Sequence, residues 1–347
     1  MSARRTIPYD MFNNGAHGLA AKNAKILERV YHKGHSQAWD GKEVLSSLVA
    51  QHGKPTLDKR TQEALSRVFS IIMWGELAAW RISAELADEI EPLEAKMAAT
   101  SQAFDEARHF YVMHDYLMML GWEPTKVHWG ARRLLEKVMN ADHLAKKLLG
   151  MQLMVEPVAL TLFHVVKELD VEPVLTALLP YYERDESRHV ALGVQYLPAM
   201  MSKMNAAQRL DLFGFQFELL SYEIATNYWL MRDLQHLGVD PRVMIDVGKT
   251  KQLKAMELVL DSLEVKGGYP TRVLERYTDA LTELTLPPMG KPVSTFDRLK
   301  NAWNAARYGR DSDRSIELVP TISDAQTPLV GSIKAGRQYA EAAYTVS

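Results

Sequence analysis

The pentapeptide Asp-Glu-x-Arg-His occurs twice in this chain, at residues 105–109 and again at 185–189. A glutamate stands thirty positions before the glutamate of each copy, Glu76 before Glu106 and Glu156 before Glu186. One constant shift of eighty residues therefore carries Glu76, Asp105, Glu106, Arg108 and His109 onto Glu156, Asp185, Glu186, Arg188 and His189. The intervening sequence shows no comparable likeness, so we read two helix hairpins related by a pseudo-twofold axis, not a solenoid array. Residues three apart on a helix share a face, with Cβ atoms about 5–6 Å apart. Glu106 with His109, and Glu186 with His189, each form such a pair.

The surrounding pattern is helical. Apolar positions predict a first long helix over about 61–89, broken before Pro92, and a second running to Leu120, with Gly121 as its stop. A shorter helix is expected near 130–139 and a third long one over 141–169. Pro173 and Pro180 predict a short helix at 173–179 and a fourth long helix at 181–197, or one helix kinked at Pro180. Further helices are expected over 205–237, 241–264 and, more weakly, 270–284. Strand-like alternation is scarce, so the fold class is all-α, with four bundle helices followed by additional helices and an irregular tail. In domain terms we expect an extension at 1–60, built of short helical pieces punctuated by glycines and wrapped on the core. The bundle follows at 61–200, added helices at the bundle surface or a dimer interface at 201–285, and a largely irregular tail at 286–347.

Four carboxylates crowded into an apolar bundle are prohibitive without cations, because burying unpaired charge is very costly. Two divalent ions would neutralise them. The natural assignment gives one ion Glu76, Glu106 and His109, and the other Glu156, Glu186 and His189, with Glu106 and Glu186 as bridges and the two reactive carboxylates. The chain contains no cysteine. Thiolate and iron–sulfur sites are therefore excluded, and a carboxylate-rich, imidazole-poor donor set suits iron or manganese. A metal-bound histidine usually donates its other N–H to a carboxylate or carbonyl. We expect Asp105 to reach His189 and Asp185 to reach His109, each across to the opposite hairpin, with Arg108 and Arg188 pairing these aspartates. A single Glu-x-x-His arises by chance about once in a chain of this length; two copies, each preceded by a glutamate at the same distance, do not.

These residues resemble the ferritin-like di-metal carboxylate superfamily, which includes multicomponent monooxygenase hydroxylases, the ribonucleotide reductase small subunit, acyl-carrier desaturases and aerobic ring cyclases. The resemblance spans about residues 61–200 and rests on Glu76, Asp105–His109, Glu156 and Asp185–His189. It implies a di-iron centre that activates O2 after two-electron reduction. The radical tyrosine of the reductase subunit, seven residues after its first motif glutamate, is replaced here by Met113. The pocket threonine of many hydroxylases, four residues after the third-helix glutamate, is replaced by Leu160, with Thr161 next to it.

Met73, Ala79, Trp80, Phe110, Met113, Met154 and Leu160 lie within about a turn of the ligands and are candidate pocket walls, each equally compatible with plain core packing. His164, two turns beyond Glu156, and His114 are read as ordinary histidines, and Tyr182, one turn before Glu186, as a buried tyrosine. Formal net charge is −2 and no basic arm is present, so no nucleic-acid partner is expected. No signal segment or uninterrupted apolar run of about 18 residues occurs, so the expectation is a soluble cytoplasmic protein without a membrane span. No glycine-rich nucleotide motif is present, so electrons would come from a separate reductase or ferredoxin. The expected activity is oxidation of a small organic substrate with O2, by hydroxylation, N-oxygenation, desaturation or oxidative cyclisation. The alternatives are a manganese or Mn/Fe oxidase and a non-catalytic ferritin-like subunit. Homodimers are the commonest soluble oligomer and are the default here.

Overall fold

The structure is a computed structural model describing residues 9–121, 127–265, 269–290 and 292–310. Among these residues regular structure is entirely helical, with no strand. Helices α1 (Asn14–Ser36) and α2 (Gly41–His52) precede two long helices, α3 (Lys59–Glu89) and α4 (Leu93–Met119). Next come α5 (Trp129–Met139) and α6 (Leu144–Leu148), a π-helical segment (Leu149–Val155), α7 (Glu156–Leu169) and α8 (Pro173–Ser202). Helices α9 (Ala206–His236), α10 (Pro241–Ser262), α11 (Tyr269–Thr285) and α12 (Thr295–Tyr308) complete the chain.

The antiparallel pairs α3–α4 and α7–α8 are the two hairpins anticipated from the repeat, and α4 packs on α8 to join them. The π-helical segment closes the fourth side against α3 and α8. Helix starts follow local chemistry. Asp58 accepts the N–H groups of Arg60 and Thr61 at the head of α3. Glu172 accepts those of Val174 and Leu175 at the head of α8, where Pro173 occupies the first turn. Tyr116 Oη, reaching from α4, donates to the same Glu172 carboxylate at 2.9 Å.

Four features differ from the sequence expectation, and the first three have physical causes. Gly41 and Gly53 bound the short α2 as expected, but Gly15, Gly18 and Gly34 do not cut the chain, because α1 runs through all three. A helical glycine costs about 0.5–1 kcal/mol, and α1 offsets this by packing along α4 and α8. At Gly34 a side chain would collide with Ser101 of α4, so the glycine permits the close approach. Second, of the two alternatives at Pro180 the structure has the single helix, and α8 also runs past its expected end through Pro198; burial of Leu178 and Leu179 around the first proline and of Leu197 and Met201 around the second outweighs the hydrogen bonds lost there. Third, the helix expected at 141–169 is interrupted by a π turn in which Glu156 N–H bonds to Met151 O. Pro157 has no N–H to offer Leu153 O, and the ladder widens just ahead of it. Gly193 of α8 faces this turn, where a Cβ would stand 2.7 Å from Gln152 Cβ. Fourth, α12 occupies part of the region expected to be irregular. The rest of that expected tail, residues 311–347, lies outside the described residues.

The apolar stretch Leu144–Leu169 has the length and hydropathy of a membrane span, but most of its most apolar 18-residue window is buried against the other helices, as befits a central helix.

Candidate metal centre

Each hairpin delivers its ligands from facing helices. Helix α3 supplies Glu76, α4 supplies Glu106 and His109, α7 supplies Glu156 as its first residue, and α8 supplies Glu186 and His189. All six are buried, and Glu76, the most accessible, is 4% exposed. They gather into two groups whose ligand atoms lie within 4.8 Å of one another. One is Glu76, Glu106, His109 and Glu186; the other is Glu106, Glu156, Glu186 and His189. Glu106 and Glu186 belong to both, the arrangement expected of bridging carboxylates.

The distances converge on the Nδ1 atom of each imidazole. His109 Nδ1 stands 3.2 Å from Glu186 Oε1, 3.4 Å from Glu106 Oε2 and 3.5 Å from Glu76 Oε2. His189 Nδ1 stands 3.0 Å from Glu106 Oε1, 3.0 Å from Glu186 Oε2 and 3.4 Å from Glu156 Oε2. Yet Glu106 Oε2 and His109 Nδ1 are both fully buried without a hydrogen-bond partner. Buried polar atoms are rarely left so, and a cation between them would satisfy both. The residues present therefore fit a pair of metal ions.

The far side of each imidazole is held by the other hairpin's aspartate. His109 Nε2 lies 3.2 Å from Asp185 Oδ2, and His189 Nε2 lies 3.3 Å from Asp105 Oδ2. With Nε2 protonated and donating, Nδ1 is free to coordinate. Arg108 Nη2 donates to Asp105 Oδ1 at 2.5 Å and to Asp185 Oδ2 at 2.8 Å. Arg188 Nη2 donates to Asp105 Oδ2 and Asp185 Oδ1, both at 2.8 Å. Two aspartates and two arginines thus form a closed buried ring beneath the ligands.

Protonation follows this geometry. Burial alone would raise Asp185, but Arg188, the His109 hydrogen bond and Arg108 outweigh it and hold the carboxyl well below its usual range. Burial alone would lower His109 and His189, but the surrounding carboxylates hold both well above an ordinary histidine. Burial and the charge of Glu186 push Glu76 well up. Without metal, protons stand in for cations, so metal uptake must expel them.

Several contributors escaped the sequence reading. Gln102, one turn before Glu106, donates through Nε2 to Glu106 Oε1 at 3.0 Å and to Glu156 Oε1 at 2.9 Å, tying the two hairpins together. Its i−4 spacing from Glu106 was a usable signal. Trp39, between α1 and α2, donates its indole N–H to Asp185 Oδ2 at 2.6 Å and lies against the Arg108 guanidinium. No local pattern marks it. Substituting Trp39→Phe keeps an aromatic ring but removes this donor from a buried carboxylate, together with part of the indole's packing; urea unfolding should show a loss of at least about 1.5–3 kcal/mol, whereas an unchanged midpoint would count against the bond. Tyr182 donates to His109 O at 2.7 Å and its ring stacks on the imidazole at 4.3 Å. His164 and His114 belong to neither ligand group, and Thr161 donates its hydroxyl to Pro157 O.

A cavity of about 110 Å³ borders Glu76, Glu156 and Glu186. Of the proposed wall residues, Ala79 and Met154 line it, whereas Met73, Trp80, Phe110, Met113 and Leu160 do not. Successive helical residues turn by about 100°. Ile72, Gly75 and Ala79 therefore fall on the cavity side of Glu76, and Met73 and Trp80 on the other. Met73 and Met113 pack instead in an apolar cluster with Tyr116 and Phe163, and Trp80 is 40% exposed. The chain matches no protein-family model and no curated protein sequence.

Proposed function

We propose that the chain is an oxidoreductase of the ferritin-like di-metal type, a di-iron oxygenase or oxidase acting on a small organic substrate. One observation carries this reading. Two buried ligand groups share Glu106 and Glu186 and border an apolar cavity. A structural salt-bridge network would have no need of shared carboxylates or of an adjoining space.

In this reading Glu76, Glu106, Glu186 and His109 hold one ion, and Glu106, Glu156, Glu186 and His189 hold the other. Iron bound there would pass two electrons to O2, and a separate reductase or ferredoxin would supply those electrons. The protein's contribution is to position and tune. Asp105 and Asp185 fix the tautomer of each histidine and raise its basicity as a ligand. The arginine pair keeps those aspartates charged. Gln102 orients the carboxylates of Glu106 and Glu156, and the apolar lining limits water at the reacting face.

The test is anaerobic loading with Fe(II), chemical reduction, and rapid mixing with O2 while the visible absorbance is followed. A transient visible band and oxygen uptake near one O2 per loaded chain support the proposal. No O2-dependent change in a protein carrying its metal would overturn it and favour a non-catalytic role. The nitrogen and oxygen donors accept manganese as well, so the native metal is named by elemental analysis of protein from mixed-metal medium.

A further inference from the structure

The cavity beside the ligand cluster has a second acidic wall that the metal centre does not use. Glu223 of α9 borders the same space as Glu76, Glu156 and Glu186, and it is 6% exposed. Its single side-chain donor is Gln252, whose Nε2 lies 2.9 Å from Glu223 Oε2; the same amide donates to Met154 O at 2.9 Å. Among the described residues no side chain donates to Glu223 Oε1, and no arginine, lysine or histidine lines the cavity. The polar neighbours add no free cation. Thr226 commits its hydroxyl proton to Tyr222 O, and Asn227 turns its amide to Glu223 O. A carboxylate buried without a cationic partner is costly, and a structure that only needed packing here would be better served by leucine. The remaining lining includes Ile72, Ala79, Leu134, Met151 and Leu219, all apolar.

We propose that this cavity receives a small, largely apolar molecule bearing a basic amine, with the amine hydrogen-bonded to Glu223 and the apolar body against Ile72, Leu134 and Met151, beside the metal ligands. This names a substrate class for the function proposed above and rests on the cavity being that function's substrate site. A carboxylate- or phosphate-bearing substrate would find no arginine, lysine or histidine in the cavity wall to pair with. The volume, about 110 Å³, is on the scale of a cavity that holds one small aromatic ring. Burial pushes Glu223 up to about 7, with only the Gln252 hydrogen bond opposing, so near neutral pH it can share a proton with an incoming amine.

The experiment is calorimetric titration of the metal-loaded protein with benzylamine, its neutral isostere ethylbenzene, and benzoate. Benzylamine should bind at least about tenfold more tightly than ethylbenzene, and benzoate should show no gain over ethylbenzene in metal-free protein. Glu223→Gln should abolish that preference, leaving ethylbenzene affinity and metal content as in the wild type. Equal binding of benzylamine and ethylbenzene, a preference that survives in Glu223→Gln, or no benzylamine binding would each overturn the proposal. Titrating metal-free protein separates the two ideas. Glu223-dependent amine binding by a chain that takes up no metal refutes the redox reading alone. Metal uptake without amine selectivity refutes the amine reading alone.

Discussion

Substituting Glu106→Gln is expected to reduce bound metal from about two ions per chain to near zero, whereas Glu76→Gln should retain about one. The difference follows from the sharing of Glu106 between the two ligand groups, while Glu76 belongs to one. Glutamine preserves the side-chain volume and can still accept the Gln102 hydrogen bond now made to Glu106 Oε1. A lost metal then reports lost charge and donor strength, not a collapsed bundle. Elemental analysis of both variants after identical reconstitution, with far-ultraviolet circular dichroism to confirm the helices, decides it. Full metal content in Glu106→Gln would mean that the ions, if any, sit elsewhere.

The second large effect is expected at Asp185. Its carboxylate is fully buried and takes hydrogen bonds from Trp39, Arg108 and Arg188, with His109 Nε2 3.2 Å away. Asp185→Asn removes the charge that two buried guanidiniums require. Breaking a buried ion-pair network by deleting one partner typically costs about 3–5 kcal/mol, and we expect a loss of that size in urea unfolding of the metal-free protein. Because His109 also loses the anion that fixes its tautomer, metal affinity should fall about 10–100-fold. Competition with a chromophoric chelator measures the affinity. A variant that unfolds and binds metal as the wild type does would remove the aspartate–arginine ring from the account. Asp105→Asn serves as the symmetric control, since it faces His189 in the same way.

Much of this site was legible because helical geometry turns spacing into proximity. Glu106 and His109 are three apart on α4, Glu186 and His189 three apart on α8, and the constant shift of eighty residues related the two hairpins. The crossing of Asp105 to His189 and of Asp185 to His109 followed from the same symmetry. The all-α class was legible for a similar reason: the apolar spacing of the long segments admits little else. What was not legible depends on contacts far apart in sequence. Trp39 reaches Asp185 from 146 positions away, and its segment carries no motif. Glu223 is a single acid in an amphipathic helix, indistinguishable in sequence from a solvated one until α9 is laid against α10 and the π turn. The π turn itself breaks the 3.6-residue period that sequence reading relies on. Continuity of α8 through Pro180 was a contest between a lost hydrogen bond and tertiary burial, and only the packing resolves it. The pocket walls failed in part because distance from a ligand along the chain does not say on which side of it a residue lies, as Met73 and Trp80 show.

The most direct measurement is the metal stoichiometry of the purified wild-type chain after anaerobic loading with Fe(II) and removal of loosely bound ions. About two irons per chain, with X-ray absorption showing only nitrogen and oxygen donors and a short iron–iron vector, is the result this account predicts. A chain that retains no metal, or a single ion unaffected by loss of Glu106 or Glu186, would contradict it and reduce the six buried side chains to a network of protons and salt bridges.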